Sequence, residues 1–229
     1  MLEPLPFSRA CKRALDIILT LISLPVVLPL MGVVALVVRI GMGSPVLFKQ
    51  VRPGLNEKPF SILKFRTMRH ALDSHGRPRP DGERLTALGK VLRKLSLDEL
   101  PQVWNVLAGH MSLVGPRPLL IDYLPFYSER HRRRHTVRPG ITGWAQVSGR
   151  NAIEWEQRLE LDLWYLEHWS FWLDLRILIE TVKCVLLSRG VSQHGHATMP
   201  EFMGIPGPSA IQRDELRSEM VESSSRESA

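Results

Sequence analysis

Ile17-Ile-Leu-Thr-Leu-Ile-Ser-Leu-Pro-Val-Val-Leu-Pro-Leu-Met-Gly-Val-Val-Ala-Leu-Val-Val38 is the stretch on which the fold turns. It carries no charge, and Thr20 and Ser23 are its only polar side chains. At about 1.5 Å of rise per residue, a helix of this length crosses a hydrocarbon core. A secretory signal fits it poorly. Arg9, Lys12 and Arg13 supply a basic start, but the apolar run is too long and no small-x-small cleavage site follows. Two readings remain: a straight single span, and a re-entrant helix that enters, bends and leaves on one side. Pro25 and Pro29 lie in the middle, where each removes a helix hydrogen bond and kinks the axis. Basic residues flank both ends, Arg9, Lys12 and Arg13 before and Arg39, Lys49 and Arg52 after. The positive-inside rule therefore gives a span no orientation, whereas a re-entrant helix satisfies both ends. The residues favour the re-entrant form.

Outward from this segment the chain has material for one or two compact domains in its 229 residues. Thirty Lys and Arg against 23 Asp and Glu leave a net charge of +7, which favours acidic partners: nucleic acid, anionic lipid headgroups or nucleotide phosphates. Cys11 and Cys184 make neither a disulfide framework nor a zinc pattern, in keeping with a reducing setting.

Pro45–Val51 and Pro59–Phe65 read as two short strands joined by the turn Arg52-Pro-Gly-Leu-Asn-Glu-Lys58. Lys64, Arg66 and Arg69 read either as a solvated basic edge or as the wall of a phosphate site. Residues 73–83 form a surface loop by composition, and Leu85–Leu95 has helical spacing. Then comes Arg93-Lys-Leu-Ser-Leu-Asp-Glu-Leu-Pro-Gln102. Ser96 and Glu99 fit a capping box, a structural role for Glu99. Pro101 is comfortable only in a first turn, so both carboxylates fall at a helix start. There the dipole and unpaired N–H groups keep Asp98 ionised and would welcome a phosphate.

In Val114-Gly-Pro-Arg-Pro118 two prolines stiffen the chain around Arg117, which reads either as a rigid turn or as a preorganised phosphate grip. The run Arg130–Arg138 lacks the aromatic interleaving of a nucleic-acid surface, and beside a membrane segment it suits anionic lipid. Arg138-Pro-Gly-Ile-Thr-Gly-Trp-Ala-Gln-Val-Ser-Gly-Arg150 reads as a loop whose backbone approaches something closely. Trp155–Leu187 is helical in pattern. Its tryptophans suit a core or a membrane interface, and Asp162, in an apolar stretch, needs a partner if buried.

These blocks resemble one family. From Lys12 to Gly204, the proline-broken helix, Lys64-Phe-Arg-Thr-Met68, Leu95–Gln102, Val114–Pro118 and Arg138–Val147 follow, in order and spacing, the bacterial sugar transferases, or monotopic phosphoglycosyl transferases. The short length and the Gly190–Thr198 ending are similar to the PglC-like branch. The resemblance implies transfer of a sugar 1-phosphate from a UDP-sugar to polyprenyl (undecaprenyl) phosphate, with release of UMP. This is the first membrane step of glycan and polysaccharide assembly, at the cytoplasmic face of the bacterial inner membrane. It implies Asp98 as a nucleophile that becomes a covalent phosphosugar ester, and Glu99 as the residue associated with Mg²⁺. Lys64, Arg93 and Arg117 match basic positions of the family and are the candidates for phosphate contact, with Arg150 and Asp162 also in family-like blocks. Partners implied are UDP-sugar, polyprenyl phosphate, inner-membrane lipids and downstream glycosyltransferases, with no nucleic acid. Leu28-Pro29 stands where the family often has Ser-Pro, and Trp164-Tyr165 where it has paired tyrosines.

The expected fold is α+β and mostly helical: a re-entrant membrane helix (residues 1–40), then a small β-hairpin and a helical catalytic domain lying on the membrane surface (41–203), and a tail (204–229) of disordered composition. The competing class is a single-span anchored basic protein that binds nucleic acid or anionic lipid without catalysis.

Overall fold

The computed structural model describes residues 6–77, 79–149, 153–187 and 202. The tail from 204 and the Gly190–Thr198 ending lie outside the described residues.

Helix α1 runs from Pro6 to Met42 with Pro25 and Pro29 inside it. Its end is built by short-range chemistry. Gly43 adopts a left-handed φ of 74° and its N–H bonds the Arg39 carbonyl at 3.1 Å, as a glycine just past a helix end commonly does. Buried Arg66 then donates to the carbonyls of Met42, Gly43 and Ser44, satisfying acceptors that a helix terminus leaves orphaned.

Both arms of α1 pack on the same domain. In the first arm Lys12 pairs with Asp174, Arg13 donates to the Leu107 carbonyl at 3.1 Å, and buried Asp16 accepts from the Leu113 N–H at 3.1 Å. In the second arm Val34 and Val38 join Phe65 and Leu92 in an apolar cluster. Between the arms, residues 21–30 include no buried side chain, and Leu21, Ile22, Val26 and Leu28 are exposed. The helix is long and apolar enough to cross a membrane. Its apolar exposed middle marks a membrane protein.

Strands β1 (Leu47–Pro53) and β2 (Pro59–Phe65) form an antiparallel hairpin in register Leu47↔Phe65 to Pro53↔Pro59. The expected first strand sits two residues further on, and the turn shortens to residues 54–58. A short helix α2 (Asp81–Arg84) leads to α3 (Ala87–Lys94), whose N–H groups are capped by Thr86 Oγ1 accepting from Gly89 at 2.9 Å. Helix α4 (Gln102–Leu107) follows, with Pro101 as its cap residue. Asn105 of α4 stitches it to the hairpin: Oδ1 accepts from the Leu63 N–H at 3.0 Å and Nδ2 donates to the Ser61 carbonyl at 2.8 Å.

The remainder is β3 (Ser112–Val114), α5 (Glu129–Arg132), β4 (Gly140–Thr142), α6 (Trp144–Ser148), α7 (Trp155–Glu167) and α8 (Phe171–Leu186). Strands β3 and β4 are parallel. The glycine-rich stretch read as a loop is thus a strand and a short helix, and what it approaches is Gly115. A Cβ on Gly140 would stand 2.1 Å from Gly115 N, and one on Gly143 would stand 2.2 Å from Gly115 O. No side chain fits there. The Trp155–Leu187 pattern divides into α7 and α8 at His168–Ser170, where Ser170 caps α8. Buried Asp174 accepts from Tyr165 at 2.7 Å and Trp169 at 3.1 Å, closing a network with Lys12 that roots α1 on α7 and α8.

Candidate active site

The two carboxylates sit on a single 3-10 turn, Leu97–Glu99, between α3 and α4. The capping box does not form. Ser96 takes a left-handed φ of 54° and its hydroxyl caps nothing, which frees Glu99 for cations. Glu99 Oε1 accepts from Lys64 Nζ at 2.7 Å and from Arg117 Nη2 at 2.6 Å, while Oε2 has only a 3.5 Å contact with Arg117 Nη1. Each cation is brought by a different element. Lys64 lies on β2, which Asn105 holds against α4. Arg117 follows β3, fixed by the glycine contact with β4. Arg93 in the last turn of α3 donates Nε to Thr67 Oγ1 at 3.1 Å.

Adjacent in sequence, the two carboxylates have opposite environments. Burial pushes Glu99 up, but the charges and hydrogen bonds of Arg117 and Lys64 outweigh it and hold the group well below the usual carboxylate range. Asp98 is 7 % exposed and, among the described residues, makes no hydrogen bond or ion pair through its carboxylate. Burial, then the neighbouring Glu99 charge, pushes it up to about 6 against the pull of Lys64, Arg93 and Arg117. A helix start was expected to keep Asp98 ionised; burial and Glu99 work against that. Near neutral pH the ionised form still predominates, with lone pairs unclaimed by any described donor.

Burial lowers Lys64 despite Glu99. Arg52 and Arg158 are pushed down to about 10, by burial first and then by the charge of Arg117. The Glu99 charge, by contrast, raises Arg117 itself, so an anion near Arg52 and Arg158 would relieve the repulsion those two feel from Arg117.

Asp162 takes a place one step behind this cluster. It is buried on α7, and its Oδ2 accepts from Arg134 Nη2 at 2.6 Å and Nε at 3.1 Å. The partner that its apolar setting demanded is therefore an arginine of the basic run. Most of that run is paired within the chain, through side chains that stay partly exposed. Arg130 pairs with Glu160, Arg132 with Glu57, Arg133 with Glu167, and Arg138 donates to the Gly109 carbonyl. The acidic residues that neutralise it lie 28 to 75 positions away, so local composition could not reveal the pairing. Arg150 lies outside the described residues. Arg134 and Asn105 escaped the sequence reading, and only the demand of Asp162 for a cation pointed at either.

Among the described residues no three His, Cys, Asp or Glu side chains converge as a metal cage. The donor set at Asp98 and Glu99 nevertheless fits magnesium, which is typically held by one or two carboxylates with substrate phosphate and water completing the shell. Glu99 Oε2, with its single long contact, retains acceptor capacity for such an ion.

Comparison with known proteins bears on the family. Residues 7–188 match the family described as bacterial sugar transferase. The chain is 61 % identical over 168 residues to an uncharacterized sugar transferase, EpsL, of Bacillus subtilis, covering 73 % of this chain and 83 % of that one. It is 40 % identical over 201 residues to a UDP-N-acetylgalactosamine-undecaprenyl-phosphate N-acetylgalactosaminephosphotransferase of Aeromonas hydrophila (82 % and 47 %). It is also 40 % identical over 185 residues to a UDP-glucose:undecaprenyl-phosphate glucose-1-phosphate transferase of Escherichia coli (76 % and 40 %). The match thus spans less than half the length of these last two. With five motif blocks, one turn bearing both carboxylates and a family match over most of its length, the chain belongs to the bacterial sugar transferase family.

Proposed function

We propose that the protein transfers a sugar 1-phosphate from a UDP-sugar to polyprenyl phosphate through a covalent Asp98 phosphosugar ester. The observation that carries this reading is the division of labour on one turn. Glu99 Oε1 is engaged by both Lys64 and Arg117, while the Asp98 carboxylate is left without a described partner. An Asp98 oxygen attacks the β-phosphorus; the bond from that phosphorus to the bridging oxygen breaks and UMP leaves with the electron pair. A polyprenyl phosphate oxygen then attacks the same phosphorus, the bond to Asp98 breaks, and the lipid diphosphate sugar departs. Splitting one displacement into two lowers each barrier. Positioned cations supply most of the stabilisation of phosphoryl transfer, here Lys64, Arg93 and Arg117. Magnesium held by Glu99, with Asp98 beside it, would neutralise phosphate charge.

The membrane arrangement supports this reading. Both arms of α1 pack on one domain while the proline-bearing middle is apolar and exposed, as a re-entrant helix on the cytoplasmic face of the inner membrane requires. On α8, Trp172, Leu175, Ile179 and Val182 are exposed at helical spacing, a face suited to lying in the lipid interface. The sugar is assigned only by class: relatives act on UDP-N-acetylgalactosamine and on UDP-glucose, and the PglC-like features favour an N-acetylated sugar. The lipid-linked product is a substrate for downstream glycosyltransferases. The test is UMP release by purified protein given undecaprenyl phosphate, Mg²⁺ and a panel of UDP-sugars. Lipid-dependent UMP from a UDP-sugar is expected; silence across the panel, with nucleic-acid binding that weakens with salt, would favour a binding protein.

A further inference from the structure

The strongest feature outside the reacting groups is the buried pair Arg134–Asp162, 2 % and 3 % exposed. Burying an ion pair costs both partners their water, and a well-packed apolar pair is often as stable. Stability alone therefore gives little reason for it. Its geometry gives another. The same Arg134 Nη2 that grips Asp162 at 2.6 Å also donates to the backbone carbonyl of Arg117 at 2.7 Å, and Nη1 reaches the Tyr127 hydroxyl at 3.4 Å. Arg117 in turn places its guanidinium on Glu99. The chain Asp162–Arg134–Arg117–Glu99 thus links α7, the turn after α5, the Gly-Pro-Arg-Pro segment and the carboxylate turn. The glycine contact fixes this segment on its N-terminal side, at Gly115. Arg134 fixes it at Arg117 itself.

On the transferase reading, we infer that Arg134 is a positioning residue: held by Asp162, it sets the backbone of Arg117 so that the Arg117 guanidinium meets Glu99 and the substrate phosphates. Asp162 serves the phosphates through two arginines rather than by contact. A planar guanidinium can span a carboxylate and a carbonyl at once; an ammonium offers a point charge and no such fork.

The test is a double-mutant cycle on lipid-dependent UMP release. Arg134→Lys keeps a cation beside Asp162 and should lower kcat roughly 10- to 100-fold, the scale of an ångström-level misplacement. In an Arg117→Met background the same substitution should change the rate no more than about twofold, because its effect runs through Arg117. Asp162→Asn, which leaves Arg134 without its countercharge, should follow the same pattern. A readout independent of turnover is modification of Arg117 by phenylglyoxal, mapped by peptide mass spectrometry: it should be slow in the parent protein and faster in Arg134→Lys. Losses that multiply with Arg117→Met, wild-type activity in Arg134→Lys, or unchanged Arg117 modification would overturn the positioning role. Failure of both Arg134→Lys and Asp162→Asn to fold would also overturn it, by making the pair a requirement of the fold. A parent protein silent with every UDP-sugar refutes the transferase reading instead, and the modification result then stands alone.

Discussion

Glu99 and Asp98 differ by one position and by everything that surrounds them. Glu99 accepts from two cations; Asp98 is buried beside them with its oxygens unclaimed by any described residue. Asp98→Asn should therefore lower lipid-dependent UMP release by on the order of 10³-fold or more, while circular dichroism and thermal melting stay close to the parent. Glu99→Gln removes the charge that Lys64 and Arg117 share, and should cost on the order of 10²-fold in kcat with a raised Mg²⁺ requirement. An unchanged Mg²⁺ titration would assign Glu99 to organising cations alone. At this scale the sequence was informative about residue types and poor about their partners. Both carboxylates stood out from their place between a basic stretch and a proline, whereas Lys64 and Arg117 stayed open between structural and phosphate roles until the family resemblance singled them out. That the Glu99 side chain leaves the capping box depends on Ser96 turning left-handed where the chain passes from α3 into the carboxylate turn. That Arg134 is buried depends on Asp162, 28 positions on.

At the scale of elements, the site is held by contacts with no room in them. Gly140 and Gly115 meet where β3 and β4 pair, and a Cβ on Gly140 would stand 2.1 Å from a backbone nitrogen. Gly140→Ala should destabilise the protein by about 1–3 kcal/mol or more, as overpacking does, read as a lower melting temperature, and should displace Arg117 and reduce turnover. The close approach was legible from three glycines and a proline; its target was not, because a parallel pair of three-residue strands leaves no periodic signal. The hairpin and α3 were legible within two residues. For α1, native Cys11 is exposed near one end and Ile40 near the other. In spheroplasts or oriented vesicles, Cys11 and an Ile40→Cys substitute should both react with an impermeant thiol reagent from the cytoplasmic side alone. Reaction from opposite sides would establish a straight span and remove the re-entrant reading.

The whole molecule is a basic protein whose most basic run is neutralised from within by Glu57, Glu160, Asp162 and Glu167. One consequence is a pH dependence of stability. His135 is buried against the Tyr127 ring, with Glu57 Oε1 at 3.6 Å from Nδ1, and burial followed by the Arg134 and Arg132 charges pushes it down to about 3. The unfolded chain takes up this proton first, so the contribution of neutral His135 is complete above about pH 6.5 and declines as pH falls from there toward 3. His135→Gln should flatten the fall in melting temperature between pH 6.5 and 4.5 relative to the parent; an identical slope would contradict the burial argument. Composition announced acidic partners at this scale but not how much of the charge is paired within the chain. The most direct test of the central claim is intact-protein mass spectrometry after incubation with UDP-sugar and Mg²⁺ in the absence of polyprenyl phosphate. An added sugar phosphate is expected on the parent protein, discharged when undecaprenyl phosphate is supplied and absent in Asp98→Asn. Lipid-dependent UMP release with no adduct, or an adduct that persists in Asp98→Asn, would contradict it.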